Sequence, residues 1–381
     1  MTSFFVRNHL CLFYGPVDHG LIFERNDLDL KASRLFKIGD FRTVDVEKPV
    51  PHGKELLVKV SACGICGSDI PRIFELGTSK QKYPLTIGHE FGGEIVAVGE
   101  DADPSLIGKC GAIFPCIPCR KCDACVGGNY AMCSDYDYLG SRSDGGFAEY
   151  CLVPSDWHFI ESKNPNLSGE ALGMVEPCTV AQHAVRKGGV TAGSAVLIFG
   201  AGPIGQMAAR WAKLFGADPV VLVDVVEEKC EFARQRGATV INSMTSNVVE
   251  EFKKLNNGKL ADVVIEGTGI GAVLGQSIEC CRTFGTVVMM GNPHRDSTIK
   301  LAQHSAILRK ELTIRGIWNS HYADTPINEW NYTVKMMDSG AMQVEDLITH
   351  RSNLEDLPQL CDDIYNRRVS ICKAMYTAEK E

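Results

Sequence analysis

The run Gly200-Ala-Gly202-Pro-Ile-Gly205 constrains the fold of this chain more than any other stretch. An unbroken apolar segment, Ala195-Val-Leu-Ile-Phe199, leads into it. An Ala-rich helical pattern over Gln206–Phe215 follows and is stopped by Gly216. A second apolar strand, Val220–Val223, ends in Asp224, nineteen residues after Gly205. Strand, glycine turn, helix, strand and terminal acid make the βαβ unit of a dinucleotide crevice. Gly200 permits the tight turn, Gly202 lets backbone approach a pyrophosphate, and Gly205 lets helix and strand pack closely. The helix start offers free N–H groups and partial positive charge to phosphates, and Pro203 fits a first turn that needs no donor. Asp224 can accept from an adenosine ribose and would repel a 2′-phosphate. Val225 and Val226 supply no arginine to attract one, so NAD is expected rather than NADP.

The pattern on either side of this unit differs. From Lys31, short β-type runs (Ser33–Ile38, Thr43–Val46, Glu55–Ala62, Gly92–Val98) are separated by turn residues at short intervals, as in a barrel-like module. Ser168-Gly-Glu170 marks a helix start. Beyond Thr191 strands alternate with helices: Glu227–Arg236, then strands at Val263–Glu266, Val287–Met290 and Leu312–Gly316. That alternation predicts a doubly wound parallel α/β sheet. The tail from Ile317 is mixed, with helices expected at Glu329–Ser339 and Leu354–Asn366. The reading is therefore a first part over 31–180, a nucleotide-binding part over 181–316 and a closing piece over 317–381. Residues 1–30 form an extension that lacks a signal-peptide design and has the character of a loose terminus or a partner-binding strand.

Sixteen cysteines is a high count, and six fall between Cys110 and Cys133. The spacing Cys119-x2-Cys122-x2-Cys125-x7-Cys133 suits a closed tetrahedral zinc site of the structural kind, within a lobe over 116–133. Cys116 continues the same spacing, so one of five cysteines is spare, and either Cys116 or Cys133 fills that role. The remaining cysteines (Cys11, Cys63, Cys110, Cys151, Cys178, Cys230, Cys280, Cys281, Cys361, Cys372) read as small buried hydrophobes. A second, dispersed set of metal candidates is Cys66 with Ser68 and Asp69, His89 with Glu90, and Glu176-Pro177. Each is weak alone; together, beside a dinucleotide crevice, they point to a catalytic metal.

With Gly145-Gly-Phe-Ala-Glu-Tyr150 these pieces complete a family pattern. From about Lys31 to Lys373 the chain resembles the zinc-dependent medium-chain dehydrogenases/reductases, and among them the polyol branch. The stretches Ser68–Phe74, Tyr136–Gly146, Ile307–Leu312 and Leu347–Arg351 resemble members that act on polyol phosphates. The resemblance implies a GroES-like β-rich catalytic domain plus a Rossmann domain. It also implies two zinc ions and NAD, with assembly as a homodimer or homotetramer. It implies that Cys66, His89 and Glu176 hold catalytic zinc, with Glu90 able to exchange as a ligand. Asp69 would orient the imidazole, as ligating histidines require. Ser68 would take the substrate proton outward, and Cys119, Cys122, Cys125 and Cys133 would hold structural zinc. The implied reaction is oxidation of a secondary alcohol of a polyol phosphate, galactitol 1-phosphate to tagatose 6-phosphate. Ser370-Ile-Cys-Lys373 stands where many family members carry Pro-Gly-Lys, so the last strand is expected to pair differently.

Arg72 and Arg142 are candidates for a substrate phosphate, since a guanidinium matches it with paired hydrogen bonds. Arg309 and Trp318 are candidates for the pocket rim, and His321 and Tyr322 for local contacts. Free-polyol and L-threonine dehydrogenases are alternative readings on the same scaffold; a binding protein that merely keeps NAD and zinc is the non-enzymatic one. The net charge of −8, with no basic run, argues against nucleic-acid binding, and the lobe's Arg120 and Lys121 are accompanied by Asp123. Apolar runs are far too short for a membrane helix, so a cytoplasmic protein without membrane partners is expected.

Overall fold

The computed structural model describes residues 30–79 and 81–378. The expected extension, Leu30 apart, and Cys11 lie outside them. Three sheets carry most of the chain. Leu30–Lys37 pairs antiparallel with Asp40–Val46 and with the short strand Leu85–Thr86. A seven-stranded sheet runs in the order Phe159–Glu161, Cys110–Ile113, Glu90–Val98, Leu56–Gly64, Lys373–Thr377, Ile348–Ser352, and Tyr150–Val153 also pairs with Leu56–Gly64. The closing piece thus returns to complete the sheet begun near residue 56. Its final strand runs antiparallel to Leu56–Gly64, with Met375 opposite Gly64, and parallel to Ile348–Ser352.

The third sheet is parallel, in the order Thr239–Asn242, Val220–Asp224, Val196–Phe199, Ala261–Glu266, Cys281–Met289, Thr313–Gly316. Numbered along the chain this is 3-2-1-4-5-6, the doubly wound order, with its crevice where the order reverses beside Val196–Phe199. All four residues of that strand are buried, because a parallel sheet is covered on both faces. The helix after the glycine turn begins at Pro203, earlier than its Ala-rich pattern suggests, since proline is tolerated in a first turn.

One helix joins the two parts. Val175–Lys187 buries most of its length, and the Trp211 indole of the nucleotide part donates to its Cys178 carbonyl at 3.0 Å. Pro177 sits in this helix's first turn, where no hydrogen bond is lost. A single apolar core runs from Phe114 and Cys116 through Met174 and Cys178 to Trp211 and Val288. Among the described residues no helix is long and apolar enough to cross a membrane.

Candidate active site

The four-cysteine lobe is compact. The Sγ atoms of Cys119, Cys122, Cys125 and Cys133 all lie within 4.8 Å of one another. Cys119 and Cys125 are 4.0 Å apart, and Cys122 and Cys133 3.9 Å. Zinc–sulfur bonds of about 2.3 Å in a tetrahedron put sulfurs about 3.8 Å apart, so the donor set fits zinc as it stands. Backbone N–H groups of Ser134 and Cys125 pull the Cys122 thiol down to about 6, whereas burial pushes Cys125 up to about 12. A cation is what lets all four be thiolates together. The fifth cysteine is now assigned. Cys116 lies in the strand Cys116–Ile117, and its Sγ faces the Tyr130 carbonyl at 3.8 Å. The four-sulfur group takes in Cys133 and leaves Cys116 out, so Cys116 is the spare and Cys133 the fourth member.

The dispersed set converges where the seven-stranded sheet meets the helix Val175–Lys187. Ligand atoms of Cys66, His89 and Glu90 lie within 4.8 Å of one another. One thiol, one imidazole and one carboxylate suit a zinc site with an open position. Cys66 follows the strand Leu56–Gly64, and its N–H donates to Asp69 Oδ2 at 3.0 Å. Asp69 is fully buried; its Oδ1 accepts from Arg72 Nη1 at 2.7 Å and stands 3.5 Å from His89 Nδ1. Burial opposes its ionisation, but His89 and Arg72 hold its carboxyl below the ordinary value. That Nδ1 makes no closer hydrogen bond among the described residues, so Asp69 is the carboxylate that faces it. Ser68 is exposed and does not line the cavity that Cys66 lines.

Glu176 is buried but stands outside the tight group of three. Its Oε1 accepts from the Tyr138 hydroxyl at 3.3 Å. Burial, partly offset by His89, pushes its carboxyl up to about 7. Glu90 in turn forms a buried ion pair with Lys373, whose ammonium also donates to the Ile65 carbonyl at 2.9 Å. Burial works against the Lys373 charge, but Glu90, with Cys66 and Glu176, outweighs it. A Cβ on Gly64 would stand 2.2 Å from Glu90 Oε2 and 2.8 Å from Lys373 Cε, so the ion pair needs glycine there.

A cavity of about 300 Å³ connects this cluster to the glycine turn. Cys66, Glu90 and Lys373 line one side; Gly202, Pro203 and Ile204 line the other. Gly200 has φ +103°, and a Cβ on Gly205 would meet the Gly200 carbonyl at 1.9 Å. Around Gly202 a Cβ would meet nothing within 4 Å, leaving the backbone open to a ligand. Asp224 accepts from the N–H groups of Ala201 and Val225, both at 2.8 Å, and Val226 at 3.0 Å, so it braces the turn as well as ending the strand.

The proposed substrate residues fare differently. Arg72 is committed to Asp69. Arg142 donates to the Tyr136 carbonyl at 2.7 Å and lies over that residue's ring. Arg309 is exposed and bonds within its own helix, to Ser305. Trp318 and His321 line a separate pocket of about 180 Å³ with His183 and Lys187. Tyr322 packs on Phe114 in the core. Three residues of the site are not legible as such in the sequence: Lys373, Tyr138, and Lys229, which lines the main cavity five residues after Asp224. Only Lys229 carries a sequence signal, its place on the helix behind the acid.

Comparison with known proteins agrees with this geometry. Residues 52–163 match the alcohol dehydrogenase GroES-like domain and residues 203–339 the zinc-binding dehydrogenase domain. The galactitol 1-phosphate 5-dehydrogenase of Escherichia coli (strain K12) is 34% identical over 316 residues, covering 83% of this chain and 90% of that protein. The sorbitol dehydrogenase of Bacillus subtilis is 31% identical, covering 86% and 91%. The L-threonine 3-dehydrogenase of Symbiobacterium thermophilum is 33% identical, covering 86% and 92%. The crystal structure of galactitol-1-phosphate dehydrogenase from Escherichia coli superposes with a TM-score of 0.84 at 32% identity, covering 91% of this chain and all of that one. The chain therefore belongs to the zinc-binding alcohol dehydrogenase family, the medium-chain dehydrogenases/reductases, and is an oxidoreductase that uses zinc and NAD.

Proposed function

We propose that this enzyme oxidises a secondary alcohol of a polyol phosphate to a ketone, with galactitol 1-phosphate as substrate and tagatose 6-phosphate as product. The observation that carries the reading is the shared cavity: the Cys66–His89–Glu90 cluster and the glycine turn open onto one space. The substrate class is supported by the relatives named for galactitol 1-phosphate.

Cys66, His89 and Glu176 would hold the metal, with Glu90 kept beside them by Lys373. When bound, zinc acidifies the alcohol as a Lewis acid and the nicotinamide accepts the hydride. Asp69 holds the His89 ring in one orientation. Ser68 receives the hydroxyl proton and passes it to solvent, on whose side it lies. Ile65, Pro177 and Ile204 give the cavity an apolar wall that excludes water. The alcohol loses one proton and one hydride, giving ketone, NADH and a released proton. The homo-oligomer that the resemblance implies has an edge open to it, the outer strand Thr313–Gly316, exposed at all four residues.

A free-polyol substrate is the second reading. It is favoured by the engagement of Arg72 with Asp69 and of Arg142 with Tyr136, which leaves neither guanidinium wholly free for a phosphate. Following NADH formation with galactitol 1-phosphate, galactitol, sorbitol and L-threonine, each with and without a chelator, decides between them. Turnover of the phosphate ester, abolished by chelator, is expected. Preference for an unphosphorylated polyol would discard the phosphate reading.

A further inference from the structure

Glu176 is reached by an ordered chain of hydrogen bonds that begins far from the cavity. The Trp330 indole Nε1, fully buried, donates to Ser320 Oγ at 2.9 Å. Ser320 Oγ donates to Asn319 Oδ1 at 2.9 Å. Asn319 Nδ2 donates to the Tyr138 hydroxyl at 2.8 Å, and that hydroxyl donates to Glu176 Oε1 at 3.3 Å. The direction of this chain is fixed at both ends. An indole N–H can only donate, and a carboxylate ionised as a metal ligand can only accept. Ser320 therefore spends its proton on the Asn319 carbonyl oxygen, which turns the amide N–H₂ toward Tyr138. With its oxygen accepting from Asn319, the phenol aims its own proton at Glu176.

The backbone supports the same arrangement. Asn319 has φ +56°, a left-handed conformation that asparagine tolerates better than most residues. The Tyr138 ring also stands edge-on to His89, with centroids 5.8 Å apart, so it touches both a carboxylate and an imidazole of the cluster.

We propose that Tyr138, steered by Asn319, is a positioning residue that commits one oxygen of Glu176 and so presents the other to the Cys66–His89–Glu90 cluster. The proposal rests on Glu176 being a ligand of that site. Partners of this kind typically change metal affinity by about 10–100-fold when removed.

The test uses the zinc-loaded enzyme and its cobalt-substituted form. Tyr138→Phe removes only the hydroxyl. Asn319→Gly removes the amide at a backbone angle that glycine adopts freely. Glu176→Ala removes the carboxylate itself. The readouts are the chelator concentration that strips the cluster's zinc, the visible absorption of the cobalt form, and thermal unfolding. Tyr138→Phe is expected to lose this zinc at about tenfold lower chelator and to shift the cobalt band, while the four-cysteine zinc and the unfolding temperature stay put. Asn319→Gly is expected to shift both readouts in the same direction and to add nothing to Tyr138→Phe. If Glu176→Ala loses the metal but Tyr138→Phe matches the parent, the positioning role is overturned and Glu176 remains a ligand. If Glu176→Ala matches the parent, the ligand reading falls and the proposal with it. If Tyr138→Phe loses both zinc ions and unfolds early, Tyr138 is a structural residue and the proposal also falls.

Discussion

The two metal-ligand clusters of this chain are assembled on opposite plans. Cys119 and Cys133 are 14 residues apart, and the whole four-sulfur set is closed by one short lobe. Around the other cluster, Glu90 meets Lys373 across 283 residues of sequence. The first needs only local turns. The second exists only once the seven-stranded sheet and the helix Val175–Lys187 are in place. A site built from distant segments is tied to global stability, whereas a local one can open alone.

The sharpest way to break that contrast is Lys373→Met. It leaves the Glu90 carboxylate, 2% exposed, without its cation. Removing one partner of such a pair costs about 3–5 kcal/mol, so a large fall in global stability by urea unfolding is expected. An unchanged midpoint would show that the pair contributes nothing to the sheet. Arg72→Met comes next. It strips the buried Asp69 of a charged hydrogen bond and is expected to cost about 1.5–3 kcal/mol in the same assay. If it leaves stability intact and instead raises KM for galactitol 1-phosphate alone, Arg72 is a phosphate ligand after all. The smallest global effect is expected for Cys133→Ser. It should lower bound zinc by one ion per chain, measured by atomic absorption, and open the lobe to protease. A midpoint shift as large as that of Lys373→Met would refute the local plan.

The same contrast explains what could be read from the sequence. The dinucleotide crevice was legible because its turn, helix and acid are near neighbours with distinct roles. The four-sulfur lobe was legible for the same reason, save for one ambiguity. Spacing leaves either Cys116 or Cys133 as the spare, and the pairing of Cys116–Ile117 with Asp137–Tyr138 accompanies the turn of the former toward Tyr130. Cys66, His89 and Glu90 were recognisable through resemblance rather than spacing. Lys373 appeared only as the last residue of Ser370-Ile-Cys-Lys373, where family members carry Pro-Gly-Lys. Its role depends on the strand Lys373–Thr377 lying beside Leu56–Gly64, which no local signal reveals. Tyr138 lay inside a noted motif, but its partners Glu176 and Asn319 come from two other regions. Arg142 shows the converse: a residue that chemistry nominates for an anion may be held by its own carbonyl neighbour and ring.

The placement of the last strand has a consequence for biosynthesis. Leu56–Gly64 emerges early from the ribosome, yet the neighbour that covers the Ala62–Gly64 end of one of its edges, Lys373–Thr377, emerges after the entire nucleotide part. That part has all six of its strands in one uninterrupted stretch and can fold as soon as it is made. Late in translation, between Gly316 and Lys373, the nascent chain therefore carries a finished nucleotide fold beside a seven-stranded sheet that still lacks its last strands. Such an open edge is a template for pairing with other chains. The stretch most exposed to chaperone capture, or to aggregation when synthesis stalls, is the one that leads directly into Cys66.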